Sequence, residues 1–108
     1  MTASVPTGIV DGHRIALCGR LDARTATVTR AELHAAVLDG AGDLVVDMSG
    51  VESLDAVGLG VLVGTRRLAF RHDRTLLLDG CTPAVARVLR VTGLHGILTR
   101  QRDGRTVA

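Results

Sequence analysis

The stretch "LVVDMSGVESLDAVGLGVLVGTRR", Leu44 to Arg67, joins two hydrophobic patterns through a short polar passage. Its first five residues, Leu44 to Met48, are almost wholly apolar, the signature of a strand covered on both faces. Ser49-Gly50 reads as a tight turn after that strand. From about Gly58 to Arg71 the apolar residues recur at helical spacing. Asp55 stands at the entrance of that helix, where its carboxylate can accept from first-turn N–H groups and its charge suits the positive end of the helix dipole.

The flanking sequence continues the alternation. "TLLL" at Thr75 to Leu78 is a second buried strand. "CTPAVARVLRVTG" carries the clearest helix signals, with Thr82 as N-cap, Pro83 at the first helical position, Gly93 as the stop, and Val85, Val88 and Leu89 on one face. Upstream, "ARTATVTRAELHAAVLDG" predicts a helix stopped by Gly40, with Val28, Ala31, Ala35 and Leu38 at helical spacing. Thr29 and Glu32 have capping-box spacing within it, although the first turn can start nearer Thr25. "GIVDGHRIALCG" places Asp11-Gly12 between two apolar runs and predicts a hairpin ending near Cys18. "HGIL" is the candidate for a last edge strand. Strands alternating with helices in this way predict an α/β fold, a small mixed β-sheet with helices packed against it. The folded domain is expected over residues 8–98, with flexible ends at 1–7 and 99–108.

Bulk composition narrows the function. A chain of 108 residues suits one domain with one modest core. Aromatic residues make up 1% of it, so the core must be aliphatic. All 13 basic residues are arginine, and the net charge of +2 is a weak argument for nucleic acid, as is the pI near 9.0. Cys18 and Cys81 are too few to staple a secreted mini-protein and are not spaced for a metal site, so both are read as reduced and the compartment as cytoplasmic. No basic leader followed by an apolar run and no stretch of membrane-spanning length is present, so direct membrane insertion is not expected.

The chemical motifs are weak. "GLGVLVG" lacks the third glycine of a dinucleotide-binding loop, having Val63 there, and it begins well beyond the strand. A chain without lysine cannot form a P-loop. His13, His34, His72 and His95 lack ligand spacing, and no nucleophile stands with a base and an orienting group, so neither a catalytic residue, a metal nor a cofactor is expected. Cys81 lies before a helix N-terminus, which can lower a thiol pKa, but reads better as a small hydrophobe. Arg66, Arg67, Arg71 and Arg74 complement the negative end of the second helix, and a single aromatic leaves almost no stacking platform for nucleic acid. On that helix Leu59, Leu62, Val63 and Phe70 form one apolar arc, with Val61 and Leu68 nearly opposite. One side is then expected to cover the sheet and the other to face a partner. Gly60 and Gly64 are expected to permit a close backbone approach to the sheet or to a partner.

"GRLDARTA" at Gly19 to Ala26, "LVVDMSGVESLDAVGLGVLVGTRR" at Leu44 to Arg67 and "TPAVARVLRVTGL" at Thr82 to Leu94 resemble, in the same order, the STAS domain family of sulfate transporters and anti-sigma factor antagonists. The resemblance covers nearly the whole chain and implies a STAS-like, SpoIIAA-like fold. It also implies a regulatory binding protein that works by partner switching: an anti-sigma factor or related ATPase-type kinase is bound, and a sigma factor is released for transcription. Such kinases phosphorylate a Ser or Thr just after the entrance Asp, and that position here is Ala56, which has no hydroxyl.

Val57 cannot substitute for the missing acceptor. Ser49 belongs to the turn after the strand, and Ser53 lies two residues before Asp55, where the family often has a bulky apolar residue. The resemblance therefore implies an anti-sigma factor antagonist without the usual phosphorylation switch, acting as a monomer or weak homodimer. Ser53, Asp55, Ala56, Val57, Gly58, Val61 and Leu68 are its expected partner-binding residues. The alternative is a STAS adaptor subunit of a lipid-transport or signalling complex that never needed a phosphate.

Overall fold

The computed structural model describes residues 8–9 and 13–95. Its elements are β1 (Gly8–Ile9), β2 (Arg14–Leu21), α1 (Ala26–Leu38), β3 (Leu44–Leu54), α2 (Ala56–Arg71), β4 (Leu76–Asp79) and α3 (Pro83–Val91). The strands form one sheet in the order β1-β2-β3-β4. β1 runs antiparallel to β2, with Gly8 opposite Ala16 and Ile9 opposite Ile15, as a hairpin requires. β2, β3 and β4 are mutually parallel, as crossovers through α1 and α2 demand. The Asp11-Gly12 turn and the "HGIL" strand beyond His95 lie outside the described residues.

The core is aliphatic. Ile15, Leu17, Val46, Met48, Leu76 and Leu78 pack under Leu33 and Val37 of α1, Val61 and Leu62 of α2, and Val85 and Leu89 of α3. Burying one such side chain contributes about 1.5–3 kcal/mol. Val45 and Leu77, which alternate to the opposite face, are also buried, so the apolar runs are covered on both sides. Phe70, which sequence spacing placed in an apolar arc with Leu59 and Leu62, is instead 80% exposed. The inward face of α2 is Gly58, Val61, Leu62, Thr65 and Ala69, because the helix is rotated to seat its smaller residues against the sheet.

Two local expectations change. β3 does not turn at Ser49-Gly50 but continues to Leu54, absorbing the irregularity as a register shift in which Ala16 pairs with Asp47 and Cys18 with Gly50. A Cβ at Gly50 would lie 2.9 Å from the Cys18 Cβ, so the glycine serves strand contact rather than a turn. The Asp47 carboxylate accepts from Ser49 N at 2.9 Å and from its Oγ at 2.7 Å, satisfying polar groups beside this irregularity. Thr29 is fully buried inside α1, so the capping-box spacing with Glu32 is coincidental. The turn before α1 is held instead by Asp22, which accepts from Arg24 N at 2.9 Å and Thr25 N at 3.2 Å.

Arg74 is the largest departure. It is 2% exposed, and its guanidinium donates to the carbonyls of Ala36 at 2.9 Å, Val37 at 2.8 Å and Gly42 at 2.9 Å. Ala36 and Val37 belong to the last turn of α1, where Ala36 O also accepts from the C-cap N–H of Asp39 at 3.3 Å. Arg74 therefore complements the negative end of α1 rather than that of α2, where Arg71 occupies the last turn. α3 follows its sequence signals closely: Thr82 accepts from Val85 N at 3.4 Å, and Gly93 adopts φ +77 beyond the helix.

Candidate functional site

The entrance of α2 is built by neighbouring parallel strands. Leu21 at the end of β2 pairs with Leu54 at the end of β3, so both chains leave the sheet at one edge. In parallel sheets the carboxyl ends of strands, with the helix N-termini that follow them, are the usual binding edge. Asp55 takes an extended conformation and its Oδ1 accepts from Gly58 N at 2.8 Å, as the sequence predicts for an N-cap. Its own N–H donates to Leu21 O at 3.2 Å, tying the entrance to β2.

Gly58 is the close-approach glycine of α2. A Cβ there would overlap the Leu21 carbonyl oxygen and lie 2.8 Å from the carbonyl carbon, whereas at Gly60 and Gly64 it would meet nothing within 4 Å. The expectation that Gly60 and Gly64 bring the helix close to the sheet is thus corrected. The first turn, not the middle of the helix, crosses the backbone of β2.

The seven expected partner-binding residues divide accordingly. Ser53, Asp55, Ala56 and Val57 are exposed, with the buried Leu54 between the first two. Gly58 is buried under Leu21, and Val61 is only 1% exposed in the core, so neither presents a surface; α2 must use this side to cover the sheet. Leu68 is half-buried and packs against the core cluster. Arg20, Asp22 and Glu52 were missed. Together with Ser53, Leu54 and Asp55 they line an open cavity of about 450 Å³ at the strand ends. The paired departure of β2 and β3 brings them together, and no local periodicity marks that pairing.

The site offers recognition groups rather than reactive ones. Ala56 occupies the first helical position with an exposed methyl group, beside backbone N–H groups that can meet an anion. Ser49 Oγ already donates to Asp47, while Ser53 opens onto the cavity. The Cys81 thiol is pushed up to about 11, chiefly by burial and then by the charge of Asp79, so it is protonated at neutral pH. Among the described residues no group of His, Cys, Asp and Glu could hold a metal ion. No helix of the described chain is long and apolar enough to cross a membrane.

Comparison with known proteins resolves the family. The model of the Mlab, STAS domain family matches residues 10–99. This chain belongs to the STAS domain family. It is 28% identical over 86 residues to the anti-sigma-B factor antagonist of Staphylococcus aureus (strain NCTC 8325 / PS 47), covering 80% of each chain. It superposes with TM-score 0.71 on an anti-sigma factor antagonist from Mycobacterium paratuberculosis, at 28% identity, covering 94% of this chain and 87% of the other. The anti-sigma factor antagonist SpoIIAA in its unphosphorylated form shares the fold with TM-score 0.69 at 22% identity, covering 92% and 89% of the two chains. The expected STAS fold is thereby established, and the domain is similar to anti-sigma factor antagonists.

Proposed function

We propose that this protein is a cytoplasmic anti-sigma factor antagonist that binds an anti-sigma factor of the ATPase-kinase type and competes with the sigma factor, without control by phosphorylation at the α2 entrance. The observation that carries this reading is the intact entrance with an alanine in it. Asp55 caps α2 as an acceptor site would need, yet the exposed side chain of Ala56 has no oxygen to receive a phosphoryl group. The docking surface comprises Ser53, Asp55, Ala56 and Val57 and the adjoining cavity, while Gly58 and Val61 hold the helix in place behind it. Binding here is an equilibrium step with no chemical step, and kinase activity does not end it.

The test is affinity capture of the tagged protein from its native lysate, with Asp55→Arg as control, followed by incubation of the captured pair with ATP. Recovery of an anti-sigma ATPase, lost in the control and stable to ATP, is the expected result. Ala56→Ser should then gain one phosphate by mass spectrometry. Phosphate at Ser49 or Ser53 of the unaltered chain would overturn the unswitched reading. An adaptor role in a lipid-transport or signalling complex is the second reading, favoured by the same alanine, because an interface never gated by phosphate needs no hydroxyl. Capture of transporter or scaffold subunits in place of the ATPase would select it.

A further inference from the structure

The apolar stripe of α1 that is most regular in sequence is the one the fold leaves outside. Val28 is 54% exposed and Leu38 61%, and Ala31 and Ala35 between them are exposed as well. The core takes Ala26, Thr29, Leu33, Ala36 and Val37, on the opposite side of the helix. Val28, Ala31, Ala35 and Leu38 follow one another at steps of three, four and three, the spacing of a two-heptad seam. From the geometry we infer that this face pairs with the same face of a second copy of the chain, the two α1 helices lying antiparallel about a two-fold axis beside residue 33.

The pattern is self-complementary in that arrangement. Val28 meets Leu38 of the second copy at each end, and Ala31 meets Ala35 at the centre, so small residues lie where the backbones approach most closely. Charge is arranged to match. Arg24 is exposed in the turn before α1 and Asp39 is exposed at its C-cap, and neither forms an ion pair within the described chain. Antiparallel pairing about that axis brings Arg24 of each copy to within about three residues, roughly one helical turn, of Asp39 of the other, a gap the long arginine side chain can span, and opposes the two helix dipoles favourably. A parallel pair would instead place Arg24 against Arg24. Glu32 flanks the seam and faces its own copy across the axis, which is the one like-charge contact. A seam on one 13-residue helix falls below the roughly 1,200 Å² of buried surface typical of stable complexes, so the dimer is weak and concentration-dependent.

Sedimentation velocity on the full chain over a concentration series tests this. The unaltered protein should pass from monomer to dimer. Ala35→Arg, at an exposed position, should remain monomeric throughout while keeping its thermal melt, and Leu38→Gln provides a milder second variant. Arg24→Asp or Asp39→Arg alone should weaken the dimer about tenfold, through two symmetric surface pairs, and the double reversal should restore it. Glu32→Gln should tighten it. A monomer at every concentration overturns the proposal, as does a dimer that survives Ala35→Arg. Loss in Ala35→Arg without rescue by the double reversal overturns the antiparallel arrangement.

Discussion

At the start of α2 the backbone N–H of Gly58 meets a carboxylate from the adjacent residue, Asp55, whereas at the end of α1 the last-turn carbonyls meet a guanidinium 37 and 38 positions away. Each end leaves four backbone groups without intrahelical partners, N–H donors at the start and C=O acceptors at the exit, and the two are served with opposite exposure. The entrance of α2 stays at the surface beside a cavity. The exit of α1 is sealed by the buried Arg74. An end capped by its own neighbour can remain open to a partner without loosening the fold, while an end capped from a distance ties two layers together and is unavailable for binding.

Replacing Arg74 should do the most damage, because several buried carbonyls lose a charged donor at once. Arg74→Ala is expected to cost about 3 kcal/mol or more in urea unfolding, and Arg74→Lys to recover less than half of this, since an ammonium cannot fork to carbonyls on two sides. A loss near zero would mean that the α1 exit is no more dependent on its cap than an exposed one. Next, Gly58→Ala should cost about 2 kcal/mol by driving a methyl group into the Leu21 carbonyl, while Gly60→Ala, two residues on, should be neutral or stabilise by about 0.5–1 kcal/mol. Equal effects at the two glycines would remove the claim that only the first turn is held by β2.

Asp55→Ala should cost only about 1 kcal/mol of stability, the usual worth of an N-cap, yet abolish partner capture. That disproportion is what separates a surface end from a sealed one. The smallest effect concerns acid. Hydrogen bonds from Ser49 N and Oγ, and the nearby Arg14 guanidinium at 3.5 Å, hold the Asp47 carboxyl below its ordinary value of 3.8. The folded state therefore binds fewer protons there, so Asp47 stabilises above pH 3.8 and this contribution is lost as pH falls through its lowered folded value. His34, lowered from 6.5 by burial and then by Arg30 and Arg71, acts in the same direction, with stability declining below pH 6.5. Asp47→Asn should flatten the acid limb of a melting-temperature profile, and His34→Gln its upper part.

Much of the architecture was legible because the signals were local. Thr82, Pro83 and Gly93 fix α3 through capping and backbone angles that involve only their own neighbours. Asp55 was legible as a cap for the same reason. The face of α1 was not: its sequence carries two apolar stripes, and periodicity cannot say which one meets the sheet. Nor could spacing separate Gly58 from Gly60, since what distinguishes them is the Leu21 backbone of another strand. Ser49-Gly50 has the composition of a turn, and only pairing with Cys18 made it part of a strand.

By itself the sequence determined the order of strands and helices, the aliphatic core, the cap at Asp55 and the missing hydroxyl at Ala56, because each depends on residue type and on positions close along the chain. Tertiary structure alone decided which side of each helix is buried, that Arg74 closes α1, and that Arg20, Asp22 and Glu52 share a cavity with Ser53. The cavity depends on the parallel register of β2 with β3 and the Arg74 seal on packing of the turn between α2 and β4 against the end of α1, and both bring distant residues together where no local pattern encodes it.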